Sequence, residues 1–376
     1  MRNKFTYRSR FLLVILFILI SACSSPNDIK DLAESLPQGS EDLIPTTSVA
    51  KSFPDLNLRD CVDRLAKRNS WTSPEQFTGA LTCTFAEITK LDGIEQLVNL
   101  ERIFLPGNNI VDISLLAALK KLTVLELDHN KINNVSVLTQ LGSLTRLSVN
   151  GNSITDFTPV ENLTNLTSLS LSGGNFTNLN QFAKLTGLEF LSIEQSQLAD
   201  ISIVANFINL KFLWLTNNKI SDLTPLINLS TLEQLDLTTN AVSDIAPIAK
   251  LSNLKILRLS WNKIDKLPAL GQLSQLTELS IGRNLIVDVS EIGKLSELTN
   301  LYLSVNKIGP AGSGGLSKLN TLTKLLRFDV TGNIGLSCQE LGDLINALKI
   351  AQPTAIIAPT IASPGSNCTD PQTRIN

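Results

Sequence analysis

Leu100, Leu122, Leu144, Leu166, Leu188, Leu210, Leu232, Leu254, Leu276 and Leu298 recur every 22 residues without a gap. Each opens the pattern L-x-x-L-x-L-x-x-N-x-I, whose apolar positions also accept Ile, Val or Phe. Leu122, Leu125, Leu127, Asn130 and Ile132 form one copy; Leu254, Leu257, Leu259, Asn262 and Ile264 form another. So strict a period predicts a solenoid in which each unit buries its apolar face against its neighbours. It points to an exposed sheet rather than a cleft with catalysts.

The repeat from Leu210 to Ser230 shows the physics. Leu213-Trp214-Leu215 alternates as a strand does, leucines inward and Trp214 outward. Asn218 follows where the chain turns, and its amide offers two donors and an acceptor to neighbouring backbone. Ile220 re-enters the core. Leu223, Leu226 and Leu229 continue it at wider spacing around Pro225, which leaves room for a 3₁₀ or brief helical return but no long helix. The strands are expected to stack in parallel at about 4.8 Å.

These residues resemble the 22-residue leucine-rich repeats of the bacterial internalins. The ladder asparagines are 108, 130, 152, 218, 240, 262, 284, 306 and 333; Gly174 and Ser196 depart from it, with Asn175 one place along. The resemblance covers roughly residues 78 to 337 and implies an α/β solenoid, a leucine-rich repeat horseshoe with a parallel concave sheet and helical caps. Such a scaffold hosts many partners, so it defines fold more sharply than function. A degenerate first copy places Leu81, Cys83, Ala86 and Ile88 in core slots. The last copy starts at Leu325 rather than 320, and the five extra residues lie near Gly309–Gly315. That insert reads as a surface loop, with a ligand-contacting protrusion as the sharper alternative.

The chain divides into a signal peptide (1–22), a lipidated cysteine with a flexible tether (23–52), an N-terminal helical cap (53–77), the repeats (78–336) and a C-terminal cap and tail (337–376). Arg2, Lys4, Arg8 and Arg10 precede an apolar run from Phe11 to Ile20, too short to span a bilayer as a mature helix. Ile20-Ser21-Ala22-Cys23 resembles the bacterial lipobox. The resemblance implies that Cys23 is diacylated, becomes the first residue after cleavage and carries acyl chains such as palmitate; Ser24 after it implies outer-membrane sorting. An ordinary signal peptide that happens to contain a cysteine is the plainer alternative. As a flexible coil, the tether would reach roughly 30 Å. In the N-terminal cap, Leu58, Val62, Leu65 and Ala66 share the inner face of a helix ending near Arg68-Asn69, and a short helix begins at Ser73-Pro74. In the C-terminal cap, Ser337 and Glu340 form a capping box ahead of Leu341, Leu344, Ile345 and Leu348.

Four further cysteines remain. The repeats hold Cys61 and Cys83 far from Cys338 and Cys368, so the expected disulfides are Cys61–Cys83 and Cys338–Cys368. Zinc is disfavoured, because CxxC spacing and histidine partners are lacking. Removing residues 1–22 takes four basic side chains and no acid, leaving 28 basic against 34 acidic, or −6. No basic stripe suits nucleic acid. His129 belongs to no nucleophile motif, and no phosphate loop, HExxH or GxSxG occurs, so neither an enzyme nor a bound cofactor is expected. Asp112, Asp156, Asp200, Asp222, Asp244 and Asp288 each follow a repeat's Ile, Leu or Val by two places; turn capping explains them better than calcium.

Strand residues between the core leucines face solvent. Their central row runs Phe104, Glu126, Ser148, Ser170, Ser192, Trp214, Asp236, Arg258, Ser280, Tyr302, Asp329. Aromatics are 5% of the chain, so their grouping here is informative. The surface is expected to dip at Ser148, Ser170, Ser172 and Gly173 and to rise at Phe190, Phe212 and Trp214. Asp236, Arg258, Trp261 and Tyr302 complete a candidate partner-binding set with those three aromatics. The expected function is that of a membrane-anchored envelope lipoprotein, a monomer, binding a host or envelope protein on this face. Glycan or cell-wall binding and a purely structural envelope role are the alternatives.

Overall fold

The computed structural model describes residues 47–351, apart from 174, 175, 177, 310–314, 334, 335 and 337. Among these residues the strands form one parallel sheet of twelve, ordered strictly as in sequence. Each repeat supplies one strand: β1 (Gly79–Thr82), β2 (Leu100–Phe104), β3 (Val124–Glu126), β4 (Arg146–Ser148), β5 (Ser168–Ser172), β6 (Phe190–Glu194), β7 (Phe212–Trp214), β8 (Gln234–Asp236), β9 (Ile256–Arg258), β10 (Glu278–Ser280), β11 (Asn300–Tyr302) and β12 (Arg327–Asp329). From β2 to β11 the paired residues are 22 apart. Between β11 and β12 Tyr302 pairs with Asp329, an offset of 27, so the extra residues are absorbed without shifting the register. Short 3₁₀ helices such as Thr224–Leu226 and Ala246–Lys250 make the return side.

The period fixes the core. Leu210, Leu213, Leu215, Ile220, Leu223, Leu226 and Leu229 of one repeat are all buried, as are their equivalents in the repeats that open at Leu100 to Leu276. Asparagine closes most junctions between repeats. Asn262 Nδ2 donates to the carbonyls of Leu237 (2.9 Å) and Leu259 (3.0 Å), while its Oδ1 accepts from the Val242 N–H (2.9 Å). Asn108, Asn130, Asn152, Asn218, Asn240, Asn284, Asn306 and Asn333 bridge the backbone in the same manner. The turn aspartates behave as expected of caps: Asp112, Asp156, Asp200, Asp222, Asp244 and Asp288 each accept from the N–H two residues on, which in all but Asp288 opens a 3₁₀ return.

One backbone feature escaped the sequence reading. The residue just before each ladder position has positive φ: Phe85, Gly107, His129, Gly151, Gly173, Gln195, Asn217, Thr239, Trp261, Arg283, Val305 and Gly332. This is the left-handed region, free to glycine and unfavourable to a β-branched residue such as Val305. The glycines scattered through this slot were the available signal. They also make room: a Cβ at Gly107 would sit 2.3 Å from the Phe85 ring.

The N-terminal cap is the helix α1 (Leu56–Asn69), with Leu58, Val62 and Ala66 buried on the expected face and Leu65 partly so. Asp55 caps it, accepting from the N–H groups of Asn57 and Leu58, and its second oxygen accepts from Thr89 and Lys90 of the first repeat. One carboxylate thus ties the cap to the solenoid. Burial opposes its ionisation, yet these hydrogen bonds dominate and lower its pKa. A disulfide joins Cys61 to Cys83 across the same junction. Packing starts earlier than the expected boundary at residue 53: Val49 and Ala50 are buried, Ala50–Ser52 is a 3₁₀ helix, and the Ser48 hydroxyl donates to the Thr72 carbonyl. Residues 47–52 are therefore part of the cap rather than of a tether, because Val49, Ala50 and Phe53 supply its apolar cover. At the far end α2 (Cys338–Ala351) buries Leu341, Leu344, Ile345 and Leu348. Cys23, Ser337, Cys368 and the centre of the glycine-rich insert lie outside the described residues.

Candidate functional site

Parallel register sets the outer face of the sheet. Ser192, Trp214, Asp236, Arg258, Ser280 and Tyr302 stand side by side in successive strands, with Phe190 paired to Phe212 one row nearer the strand entry. Phe190 is the hub of the aromatic group. Its ring centroid is 4.9 Å from that of Trp214, edge to face at 82°, and 6.5 Å from that of Phe212. Edge-to-face contacts suit the ring quadrupoles. All three rings are half-buried. The Trp214 Nε1 is shielded from solvent and has no hydrogen-bond partner among the described residues.

Beside the rings lies a fixed ion group. The Arg258 Nε and terminal nitrogen donate to Glu278 Oε1 at 2.8 and 2.7 Å, and the guanidinium reaches Asp236 at 3.9 Å. Glu278 was missed from sequence, although it sits two residues before Ser280 in the adjoining strand. Asp236 also accepts from the Thr238 N–H. Along the strand-entry edge Glu189 pairs with Lys211 and Glu233 with Lys255, each at 2.8 Å. Glu189 raises the Lys211 pKa by hydrogen bond and charge.

In the serine stretch Ser148 and Ser192 occupy outward strand slots yet are buried, while Ser170 and Ser172 are half-buried. Their hydroxyls are engaged: Ser148 donates to Asp128 (2.7 Å), and Ser192 to Glu194 (3.2 Å). Asn150 extends this network through its backbone N–H to Asp128 and its amide to Ser170. Glu126, two residues before Asp128, is pushed up to about 7 by burial first and by the Asp128 charge second, with Arg146 at 3.7 Å opposing. Burial likewise raises Asp128.

The expected site residues thus separate. Phe190, Phe212 and Trp214 form one cluster, with Asp236 and Arg258 on the next two strands. Tyr302 lies two strands beyond Arg258, across Ser280. Trp261 does not join them. It occupies the strand-exit turn at φ 61°, aligned with Thr239 and Arg283, and the Arg283 guanidinium stacks 4.1 Å from its ring centroid. Among the described residues no group of three or more His, Cys, Asp and Glu side chains could hold a metal ion, and no helix is long and apolar enough to cross a membrane.

Fold and surface together define an open repeat solenoid with a continuous outward sheet. Two family models match the chain: the leucine-rich repeat region over residues 172–348 and the two-copy leucine-rich repeats over residues 98–140. Among solved structures, internalin InlF of Listeria monocytogenes shares 29% identity with a TM-score of 0.68, covering 80% of this chain and 96% of InlF. Internalin C2 of the same species shares 34% identity with a TM-score of 0.52, covering 59% of this chain and all of that one. The plant peptide hormone receptor RGFR1, solved in complex with RGF2, shares the fold alone, at 20% identity and a TM-score of 0.52 over 67% of this chain and 47% of the receptor. A search of curated proteins finds no match. The chain belongs to the leucine-rich repeat family, and its repeats are internalin-like. Proteins of this fold are generally binding or scaffold proteins rather than enzymes.

Proposed function

We propose that the chain is an envelope lipoprotein, anchored through acylated Cys23, that binds a partner protein on the outer face of its sheet around Phe190, Phe212, Trp214, Asp236 and Arg258. The observation that carries this is the aromatic cluster beside the Asp236–Arg258–Glu278 ion group. Aromatic and arginine side chains held together on a rigid support are the usual anchors of protein interfaces, and a preformed sheet needs no ordering on binding. Structures of an internalin and of a peptide-bound receptor on the same fold support a binding role. The edge-to-face rings at 82° offer no shared flat platform for a sugar, which favours protein over glycan. Lipidation rests on the Ile20-Ser21-Ala22-Cys23 sequence. Metabolic lipid labelling tests it: a labelled, membrane-bound Cys23→Ser product rejects the anchor.

The binding test begins with capture from host and envelope extracts, followed by titration of the captured protein. Trp214→Ala is expected to weaken binding about thirtyfold, ~2 kcal/mol, as truncating an aromatic anchor does. Lys250→Ala, exposed on the return side, should change little. Full affinity in Trp214→Ala with a strong loss in Lys250→Ala would move the site to the opposite side and reject the proposal.

A further inference from the structure

The strand-exit edge of the ninth to eleventh repeats combines bulky apolar and basic side chains at consecutive positions. Trp261, Arg283 and Val305 occupy three consecutive left-handed turn positions, where Gly107, Gly151, Gly173 and Gly332 stand in other repeats. Placing bulky side chains there works against backbone preference, most of all at β-branched Val305. The three turns are bonded in series: the Trp261 N–H donates to Gly282, Arg283 to Ser304 and Val305 to Thr331. Two residues further on, Lys263, Leu285 and Lys307 form a second row, joined through the Leu285 N–H to Ile264 and the Lys307 N–H to Ile286. Val287 follows Leu285 round the edge. All seven side chains are exposed, Trp261 to 54%. The same slots in the preceding repeat hold Thr239 and Ala241, and in the one before that Asn217 and Lys219.

Charge points the same way. None of the ion pairs among the described residues involves Lys263, Arg283 or Lys307. The nearby acids are Asp265 and Asp288, and Asp288 is turned to cap Ser290. We propose that this edge, through Trp261, Arg283, Val305, Lys263, Leu285 and Lys307, docks onto an anionic lipid surface. Contiguous exposed apolar side chains rimmed by charge mark interaction sites. Here the cations alternate with apolar side chains inside each row, leaving no separate apolar centre and polar rim of the kind a protein interface has. Interleaving suits a headgroup layer instead, where lysine and arginine stems lie with the apolar groups while their charges meet phosphate. The side chains also project from turns rather than lining a groove, so insertion needs no shaped partner. Such a contact is separate from the sheet face and would set how the body lies on a membrane.

Intrinsic tryptophan emission tests it directly. The full-length protein is mixed with vesicles of phosphatidylglycerol and brominated phosphatidylcholine, whose acyl-chain bromine quenches an indole in contact with it. A quenched component is expected that vanishes in Trp261→Phe, persists in Lys250→Gln, and is lost in high salt or on purely zwitterionic vesicles. The double variant Lys263→Gln/Lys307→Gln should shift the balance between docked and free body about thirtyfold, the ~2 kcal/mol that two basic side chains contribute near an anionic surface. Unchanged circular dichroism establishes that each variant is folded. Quenching that survives Trp261→Phe, or is equal on zwitterionic and anionic vesicles, overturns the proposal. Cross-linking of an acidic protein to Lys263 or Lys307 without any quenching would assign the edge to a protein and overturn it equally.

Discussion

From β7 to β11 every junction between repeats is closed by the same asparagine, whereas around β5 and β6 two successive ladder slots hold Gly174 and Ser196 instead. The regular stretch gives each asparagine two carbonyls to donate to and an N–H to accept from, as Asn240 and Asn262 do. At Ser196 the hydroxyl reaches only the Glu194 carbonyl, at 2.7 Å, although the side chain is fully buried. Backbone pairing makes up part of the difference. β5 and β6 pair over five residues, two more than their neighbours, and the Phe176 N–H donates to the Ser196 carbonyl. Phenylalanines fill the return side there, with Phe176 5.0 Å from Phe157 and 5.9 Å from Phe182. On the outer face side chains take over as well: Gly151 N–H finds the Ser172 hydroxyl rather than a carbonyl. The requirement is constant, since buried backbone groups must be paired, but the partner can change.

The largest effects should be indifferent to this contrast. Leu257→Ala in the regular stretch and Leu169→Ala beside the break both empty a fully buried slot, and each is expected to cost about 2–5 kcal/mol in urea unfolding. Outward Ser280→Ala should stay within about 0.5 kcal/mol. A negligible cost at Leu169 alone would mean that the core is not continuous through the break.

Asn262→Ala should separate the two regions. It leaves the Val242 N–H without its acceptor and takes one of two asparagine donors from each of the Leu237 and Leu259 carbonyls, which keep Asn240 and Asn284; an unsatisfied buried group costs about 1–3 kcal/mol. A loss of about 2 kcal/mol is expected, with faster hydrogen exchange at the Val242 amide. A loss below about 1 kcal/mol would show that the ladder is ornamental there.

Irregular packing on the outer face also carries a pH signature. Glu126 is held near 7 in the folded protein, by burial and then by Asp128, against 4.5 for an ordinary glutamate. The folded state therefore keeps a proton that the unfolded chain releases. Its stabilising contribution is complete below about pH 4.5 and is lost as pH rises through about 7. The loss is at most about 3 kcal/mol for such a shift. Melts of Glu126→Gln at pH 5 and pH 8 should show the variant gaining on wild type at the higher pH. A difference independent of pH would reject this role.

Most of the fold was legible because the period assigns core slots by arithmetic: Leu100 to Leu298, the ladder asparagines and the capping aspartates all fell where expected. What escaped depends on conformation or on three-dimensional neighbours. Trp261 joins the sheet-face set in sequence as a residue near the strand exit; its left-handed backbone carries it to the edge, beside Arg283. The burial of Ser148 and Ser192 was not legible either, since it depends on neighbouring strands. Of the candidate site, Phe190, Phe212 and Trp214 were legible from alternation alone. Glu278 was not, because its role comes from the guanidinium of the preceding repeat.

The smallest expected effect bears most directly on the contrast. Ser196→Ala removes one hydrogen bond, to Glu194, and leaves the Asn218 contacts to the Ser196 and Leu198 N–H groups intact. A single neutral hydrogen bond contributes about 1 kcal/mol net, so the cost should be about half of that for Asn262→Ala. The longer β5–β6 pairing is independent of the hydroxyl, so hydrogen exchange at Leu171 and Ile193 should not change. Equal costs for Ser196→Ala and Asn262→Ala would mean that the serine closes its junction as fully as an asparagine does. The difference between the two stretches would then lie in the strands and phenylalanines alone.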